Sequence, residues 1–173
     1  MNHITVKKAL PSDVEPLRLV GTQAFVEAFS AYNTEENMRQ YLEERFSPQQ
    51  LASELGNPDS EFYFACQGEE IVGYLKLNYG PAQTDLQDAQ SLEIERIYVL
   101  NAYHGQKVGQ ILFDKALDVA RQQNLQYIWL AVWEENKKAI RFYEKNEMVA
   151  FSTHIFRLGD DLQTDIMMKR AIQ

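Results

Sequence analysis

The sequence predicts an α/β fold, and three observations lead there. Seven stretches have strand character and five have helix periodicity, and the two kinds are interleaved along the chain. No linker, internal repeat or low-complexity tract divides them, so 1–173 is expected to be a single domain. At 173 residues and 45% hydrophobic content, the chain can bury a core of its own.

Taken in order, His3 to Ala9 alternates weakly and is expected as a first strand. Pro11-Ser12-Asp13-Val14-Glu15 signals a helix start, with Ser12 and Glu15 at capping-box spacing. Apolar residues at Val14, Leu17, Leu19, Val20, Ala24, Phe25, Ala28 and Phe29 give that helix one apolar face, and Gly21 allows close packing or a bend. Thr34 to Phe46 is a second helix. A short third one starts at Ser47-Pro48-Gln49-Gln50, with Ser47 as cap, Pro48 at the first helical position and Gln50 completing a box. Glu61–Gln67 and Glu70–Asn78 form a hairpin through Gly68-Glu69, and residues 80–90 are a polar loop. Strand Leu92–Val99, helix Val108–Gln122, strand Tyr127–Val132 and helix Asn136–Lys145 follow. Strands Val149–Arg157 and Gln163–Lys169 close the chain around the turn Gly159-Asp160-Asp161.

Composition narrows the function. A formal net charge of −8 argues against a nucleic-acid partner, which needs a basic footprint, and favours cationic small molecules. Cys66 is the only cysteine, so no internal disulfide or cysteine-rich metal site can form. Its strand context makes it a buried structural thiol. His3, His104 and His154 are scattered, and no metal site is expected. The N-terminus, Met1-Asn2-His3-Ile4, lacks the apolar core of a signal peptide, and no run approaches the ~20 apolar residues of a membrane span. No membrane partner is expected, and the cytoplasm is the natural compartment.

Chemistry concentrates between Leu92 and Tyr143. The helix after His104-Gly105-Gln106-Lys107-Val108-Gly109 is expected to start near Gln106 or Lys107. A helix start carries free amides and partial positive charge, which suits a phosphate. Gly109 is followed by Gln110-Ile111, so this is no Walker loop, and the glycines of a dinucleotide fingerprint are missing. In the preceding strand, alternation places Glu93 and Glu95 on the same face as Ile97 and Val99, with Arg96 on the other. Acids on a sheet face are unusual unless paired or functional.

Strand, loop and helix in this order resemble the GNAT acetyltransferase superfamily. The superfamily's loop pattern is Arg/Gln-x-x-Gly-x-Gly/Ala. Here the last glycine, Gly109, matches, while His104 replaces the first residue and Lys107 the central glycine. Asn136-Lys137-Lys138-Ala139-Ile140-Arg141-Phe142-Tyr143 matches the Asn-x-x-Ala-x-x-Phe-Tyr motif in full. In its usual sequel, Glu144-Lys145 match, and Glu147 and Met148 replace Gly and Phe. Ser91 to Val99, Ile128 to Glu134, Gly159 to Asp165, Glu36-Asn37-Met38 and Tyr41-Leu42-Glu43 are similar to the bacterial spermidine/spermine N-acetyltransferase branch.

The resemblance implies a GNAT-like mixed, mostly antiparallel sheet of about seven strands with helices on both faces (α+β in some schemes). It implies acetyl-CoA as co-substrate, without a metal, and a primary amine as acceptor, a polyamine such as spermidine or spermine. Transfer is expected by direct attack in a ternary complex. Ile97, Tyr98 and Val99 would pair with the pantetheine arm. The amides of His104, Gly105, Gln106, Lys107, Val108, Gly109 and Gln110 would hold the pyrophosphate. Asn136 would bind pantetheine, cap its helix, or both, and Lys138 or Lys145 would meet the adenosine phosphate. Tyr143 would protonate the leaving thiolate, a phenol near roughly 10 serving a thiol near roughly 8.5.

Glu95 is the candidate base, directly or through a water, or a substrate anchor, with Glu93 second as base and a structural ion pair as the other reading of Glu95. Phe29, Tyr32, Glu93, Trp133 and Glu134 are candidates for the acceptor pocket, with Phe25 and Tyr41 beside them. Two other functions stay open: transfer to an amino acid, drug amine or protein amine, and a catalytically silent acyl-CoA-binding module. A homodimer is compatible with the reading.

Overall fold

The computed structural model describes residues 3–172. Met1 and Asn2, part of the signal-peptide argument, lie outside the described residues. The helices are α1 (Val14–Phe29), α2 (Glu35–Arg45), α3 (Pro48–Gly56), α4 (Val108–Gln122) and α5 (Lys137–Lys145). The strands are β1 (Ile4–Lys8), β2 (Ser60–Gln67), β3 (Glu70–Tyr79), β4 (Ser91–Val99), β5 (Tyr127–Trp133), β6 (Val149–Leu158) and β7 (Asp161–Ala171). They form one seven-stranded sheet in the order β1-β2-β3-β4-β5-β7-β6. Every neighbouring pair is antiparallel except β4–β5. A parallel pair needs a crossover, and α4 supplies it.

Two apolar layers cover the sheet. Leu75, Leu77, Leu92, Ile94, Ile128 and Leu130 pack beneath α4, where Leu112, Phe113 and Ala116 are fully buried. On the opposite face Phe62, Phe64 and Tyr74 meet Leu17 and Phe25 of α1 and Leu51 of α3. Gly21 lets α1 approach the Phe46 ring, since a Cβ there would lie 2.5 Å from Phe46 Cε1. Cys66 is buried, and burial raises its thiol.

Helix starts differ in detail from expectation. Asp13, not Ser12, stands at the start of α1, and its Oδ2 accepts from Leu10 N–H at 2.7 Å instead of capping the helix. Glu15 pairs with Arg18, so no capping box forms. Ser47 does cap α3, its Oγ accepting from Gln50 N–H at 3.1 Å. The Gln50 side chain, however, reaches forward to Glu54 at 2.8 Å rather than back to the cap.

A larger departure lies in β4. Lys76 of β3 pairs with Arg96 and Leu77 with Ile94, so Glu95 is an unpaired bulge residue. An extra residue reverses the alternation beyond it. Ile94, Ile97 and Val99 therefore share the α4 face. Tyr98 packs into the opposite layer, and the Arg96 guanidinium lies 5.2 Å from the Phe46 ring centroid on that side. The expected grouping of Glu93 and Glu95 with Ile97 and Val99 is corrected by this bulge.

Candidate active site

The parallel pairing of β4 and β5 runs from Ser91–Tyr127 only to Ile94–Leu130. Beyond it, β4 continues to Val99 and β5 to Trp133 without partnering each other. The strands part, and a cleft of about 1460 Å³ opens between them.

One half of the cleft is backbone-rich. The β4 edge at Ile97, Tyr98 and Val99 lines it, as do His104, Gly105, Lys107, Val108, Gly109 and Gln110. α4 begins at Val108, slightly later than expected, because Lys107 is the preceding cap in the left-handed conformation at φ 65. Gly105, at φ 82, also has positive φ, and such turns gather N–H groups into an anion-binding concavity. The amide of His104 is not among the free ones: it donates to Asn101 O at 3.1 Å, and its ring Nε2 lies 2.8 Å from Val99 O. The Gln110 side chain is engaged with Asn146 at 2.8 Å, tying α4 to the end of α5. Asn136 caps α5, accepting from Ala139 N–H at 3.2 Å, and also lines the cleft. Lys138 lines it too, whereas Gln106 and Lys145 do not.

Tyr143 lies where the strands part, on the buried side of α5. Its ring packs on Phe142 and Phe113, with centroids 5.5 and 6.4 Å away. Burial alone pushes its phenol well above the ordinary value. No group among the described residues hydrogen-bonds its hydroxyl, and the residue lines the cleft.

Glu95 sits in a buried ion network. Its Oε1 is 2.8 Å from Lys76 Nζ and its Oε2 3.3 Å from Arg96 Nη2, and both cations also reach Glu54 of α3. Asn78 donates to it at 2.8 Å. Burial by itself would raise this carboxyl, but Arg96 and Lys76 outweigh it and hold it at about 2. The geometry gives Glu95 an ion-pair environment, with Arg96, excluded by simple alternation, as a direct partner.

Glu93 has different surroundings. Its Oε1 accepts from Asn78 at 2.9 Å and from Thr84 N–H at 2.8 Å, and the Thr84 hydroxyl donates to its Oε2. Burial raises its carboxyl despite these bonds. Thr84 belongs to the β3–β4 connection, which is fixed by Gln83. The Gln83 amide donates to Ser91 O at 3.1 Å and accepts from Trp129 Nε1 at 3.3 Å.

The other half of the cleft is lined by aromatic and charged side chains. Phe29, Tyr32 and Trp133 form its walls, with Tyr32 edge-on to Trp133 at 4.8 Å. Phe25 and Tyr41 stack at 4.2 Å and also line it, as do Asp85, His154, Gln163 and Asp165. Glu134 does not. Its backbone is held instead, its N–H donating to Thr164 O and its carbonyl accepting from Lys137 Nζ. Thr84, Asp85, His154, Gln163 and Asp165 were not among the sequence candidates. The inward polar alternation of Gln163 and Asp165 was the readable signal for the last two.

Residues 22–148 match the model of the Acetyltransferase (GNAT) family. The chain belongs to the GNAT acetyltransferase family. It is an acetyl-CoA-dependent N-acetyltransferase. It is 34% identical over 172 residues to an uncharacterized N-acetyltransferase of Lactobacillus delbrueckii subsp. lactis, covering 99% of each chain. A spermidine N(1)-acetyltransferase of Thermoplasma acidophilum is 22% identical, with 98% of both chains covered. Among solved structures, the PaiA N-acetyltransferase of Thermoplasma acidophilum in complex with coenzyme A superposes with a TM-score of 0.81 at 22% identity, covering 98% of this chain and 99% of that one. This likeness concerns the fold.

The free amides after His104 and the unpaired β4 edge together suit a pyrophosphate and an amide-bearing arm, so the residues present fit the GNAT co-substrate. Among the described residues no group of three or more His, Cys, Asp or Glu side chains is placed to hold a metal, and no helix is long and apolar enough to cross a membrane. Two departures from the GNAT pattern are also explained. Lys107 and Glu147, standing where the family has glycine, have φ 65 and 68. The residue changed while the glycine-favoured backbone stayed.

Proposed function

We propose that this enzyme acetylates a primary amine of a small polycation, a polyamine such as spermidine or spermine, by direct attack within a ternary complex. The observation that carries the acceptor class is the composition of the far half of the cleft. Tyr32 and Trp133 offer π faces beside the carboxylates of Asp85 and Asp165. Aromatic rings with carboxylates alongside attract ammonium groups.

In this reading the β4 edge at Ile97 to Val99 positions the pantetheine arm, and the amides from Gly105 to Gln110 hold the pyrophosphate. The reactive thioester is what acetyl-CoA supplies when bound. Tyr143 gives its phenolic proton to the departing sulfur. Its raised phenol keeps that proton throughout the working pH range, and the same dry surroundings raise the basicity of the thiolate it serves.

The attacking ammonium must lose a proton. Glu95, held at about 2, is a weak acceptor; Glu93, raised by burial, is a better one. Thr84 and Glu93 both line the cleft, and the Thr84 hydroxyl donates to Glu93. It can therefore pass its own proton to Glu93 while taking one from the amine. Glu95 then serves as an anchor of Lys76 and Arg96.

A second reading has one observation behind it. Arg45 and Arg157 also line the cleft, and an acceptor bearing a carboxylate would use them. Thiol release from acetyl-CoA with a panel of polyamines, monoamines, amino acids and peptides separates the two. Turnover restricted to carboxylate-bearing acceptors would refute the polyamine assignment, and binding of coenzyme A with no turnover of any amine would leave only a silent module.

A further inference from the structure

The C-terminal hairpin places a polar strip in the cleft that the transfer chemistry does not use. Asp165 of β7 pairs in register with Trp133 of β5 on one side and His154 of β6 on the other. Side chains in register share a face, and Gln163, two residues earlier, falls on that face as well. All four line the cleft, with Asp85 from the β3–β4 connection alongside.

His154 lies between the two carboxylates. Its Nε2 is 3.3 Å from Asp165 Oδ2 and its Nδ1 3.6 Å from Asp85 Oδ2. The imidazole stands where a cation between two acids would stand. Gln163 adds an independent pointer. It is 7% exposed, and its Nε2 donates to Asp161 at 3.0 Å and Asn33 at 3.4 Å. Its Oε1 is buried with no partner. Native folds rarely bury an acceptor without a donor, so an unpaired carbonyl beside a cleft calls for a donor that arrives with a ligand.

We propose that Asp165 and Gln163 form a subsite for a distal nitrogen of the acceptor, and that the His154 ring is a resident partner of the two carboxylates, displaced by the acceptor's ammonium. The inference rests on the polyamine reading above and adds where the distal charge goes. Trp133, the register partner of Asp165, is three residues beyond Leu130, where β4 and β5 part. That is about 10 Å along a strand. An acceptor spanning this distance carries its second charge several methylenes from the reacting amine, which favours diamines and polyamines over monoamines.

The test follows thiol release from acetyl-CoA with spermidine and with a monoamine of matching length, for the wild type, Asp165→Asn and His154→Gln. Asp165→Asn is expected to raise the spermidine KM about tenfold or more with kcat within about threefold, and to shift the monoamine KM by less than about twofold. His154→Gln is expected to move the spermidine KM the opposite way, downward, because a competitor is gone. A general packing defect would not give opposite signs. If Asp165→Asn does not fold, Gln163→Met, which removes the unpaired oxygen, carries the same expectation of a raised spermidine KM. A spermidine KM within about twofold of wild type in the folded variant, or both variants weakening both acceptors alike, would overturn the subsite alone. A wild-type protein that turns over other amines but no polyamine overturns the polyamine reading and the subsite with it.

Discussion

Replacing Glu95 by Gln separates a structural carboxylate from a catalytic base. The side chain is 20% exposed, with Lys76 and Arg96 at 2.8 and 3.3 Å. Its carboxyl is held at about 2 against an ordinary 4.5. A group depressed to that extent contributes roughly 3 kcal/mol of folding stability, an order-of-magnitude figure. The sign follows from the direction of the shift. The contribution is complete above the unfolded value, near 4.5, and is lost as pH falls through about 2. Urea unfolding at pH 7 should show Glu95→Gln destabilised by about 2–4 kcal/mol. The wild type should lose stability between pH ~5 and pH ~2 more steeply than the variant. Turnover at saturating substrate should fall by less than about tenfold. A variant of unchanged stability whose turnover drops about 10³-fold would refute the argument and make Glu95 the base. Glu93→Gln, assayed beside it, should show the larger loss of turnover.

Other outcomes follow from the donor half. Tyr143→Phe should lower kcat by about 10²-fold with acetyl-CoA affinity little changed; unchanged turnover would remove the phenol from the mechanism. Lys107→Gly should stabilise the fold by about 1 kcal/mol by relieving positive φ, and should leave coenzyme A affinity within about tenfold, because amides do the holding. Loss of binding by calorimetry would show that the Lys107 ammonium carries the phosphate contact. Gly73→Ala should cost about 1–3 kcal/mol in chemical denaturation, since its Cβ would stand 2.7 Å from Tyr98 O.

The sequence made most elements legible because the signals were local. Ser47, Pro48 and Asn136 mark helix starts by their own chemistry, and the α4 stripe fixes Val108–Gln122 by periodicity. What escaped was set by relations between strands. Alternation assigns a face only while the ladder is regular, and one unpaired residue opposite Lys76 and Leu77 reversed it for the rest of β4. The acceptor half was similarly hidden. His154 and Asp165 face each other through the register of the β6–β7 hairpin, Trp133 joins them only because β7 also pairs with β5, and Asp85 arrives from the distant β3–β4 connection. Lys107 and Glu147 show the converse case. Residue identity counted them as departures from the GNAT pattern, although the backbone conformation that the pattern encodes is kept.

The bulge and the cleft are physically one feature. Pairing with β5 ends at Ile94, and the unpaired residue against β3 is the next one, Glu95. A bulge sharpens the local twist of its strand, and added twist on the β3 side carries β4 away from β5. The edge freed in this way is Ile97 to Val99, where the donor half of the cleft begins. An unpaired residue in the middle of a buried sheet needs something to hold it. Here Lys76 and Arg96, the two residues of the last regular pair, clamp the Glu95 carboxylate and are themselves tied to Glu54 of α3. The ion network thus holds the geometry that opens the co-substrate edge, although it lies beneath the acceptor side. It follows that Glu95→Gln should weaken acetyl-CoA binding more than acceptor binding, a split that a proton-accepting role would not produce.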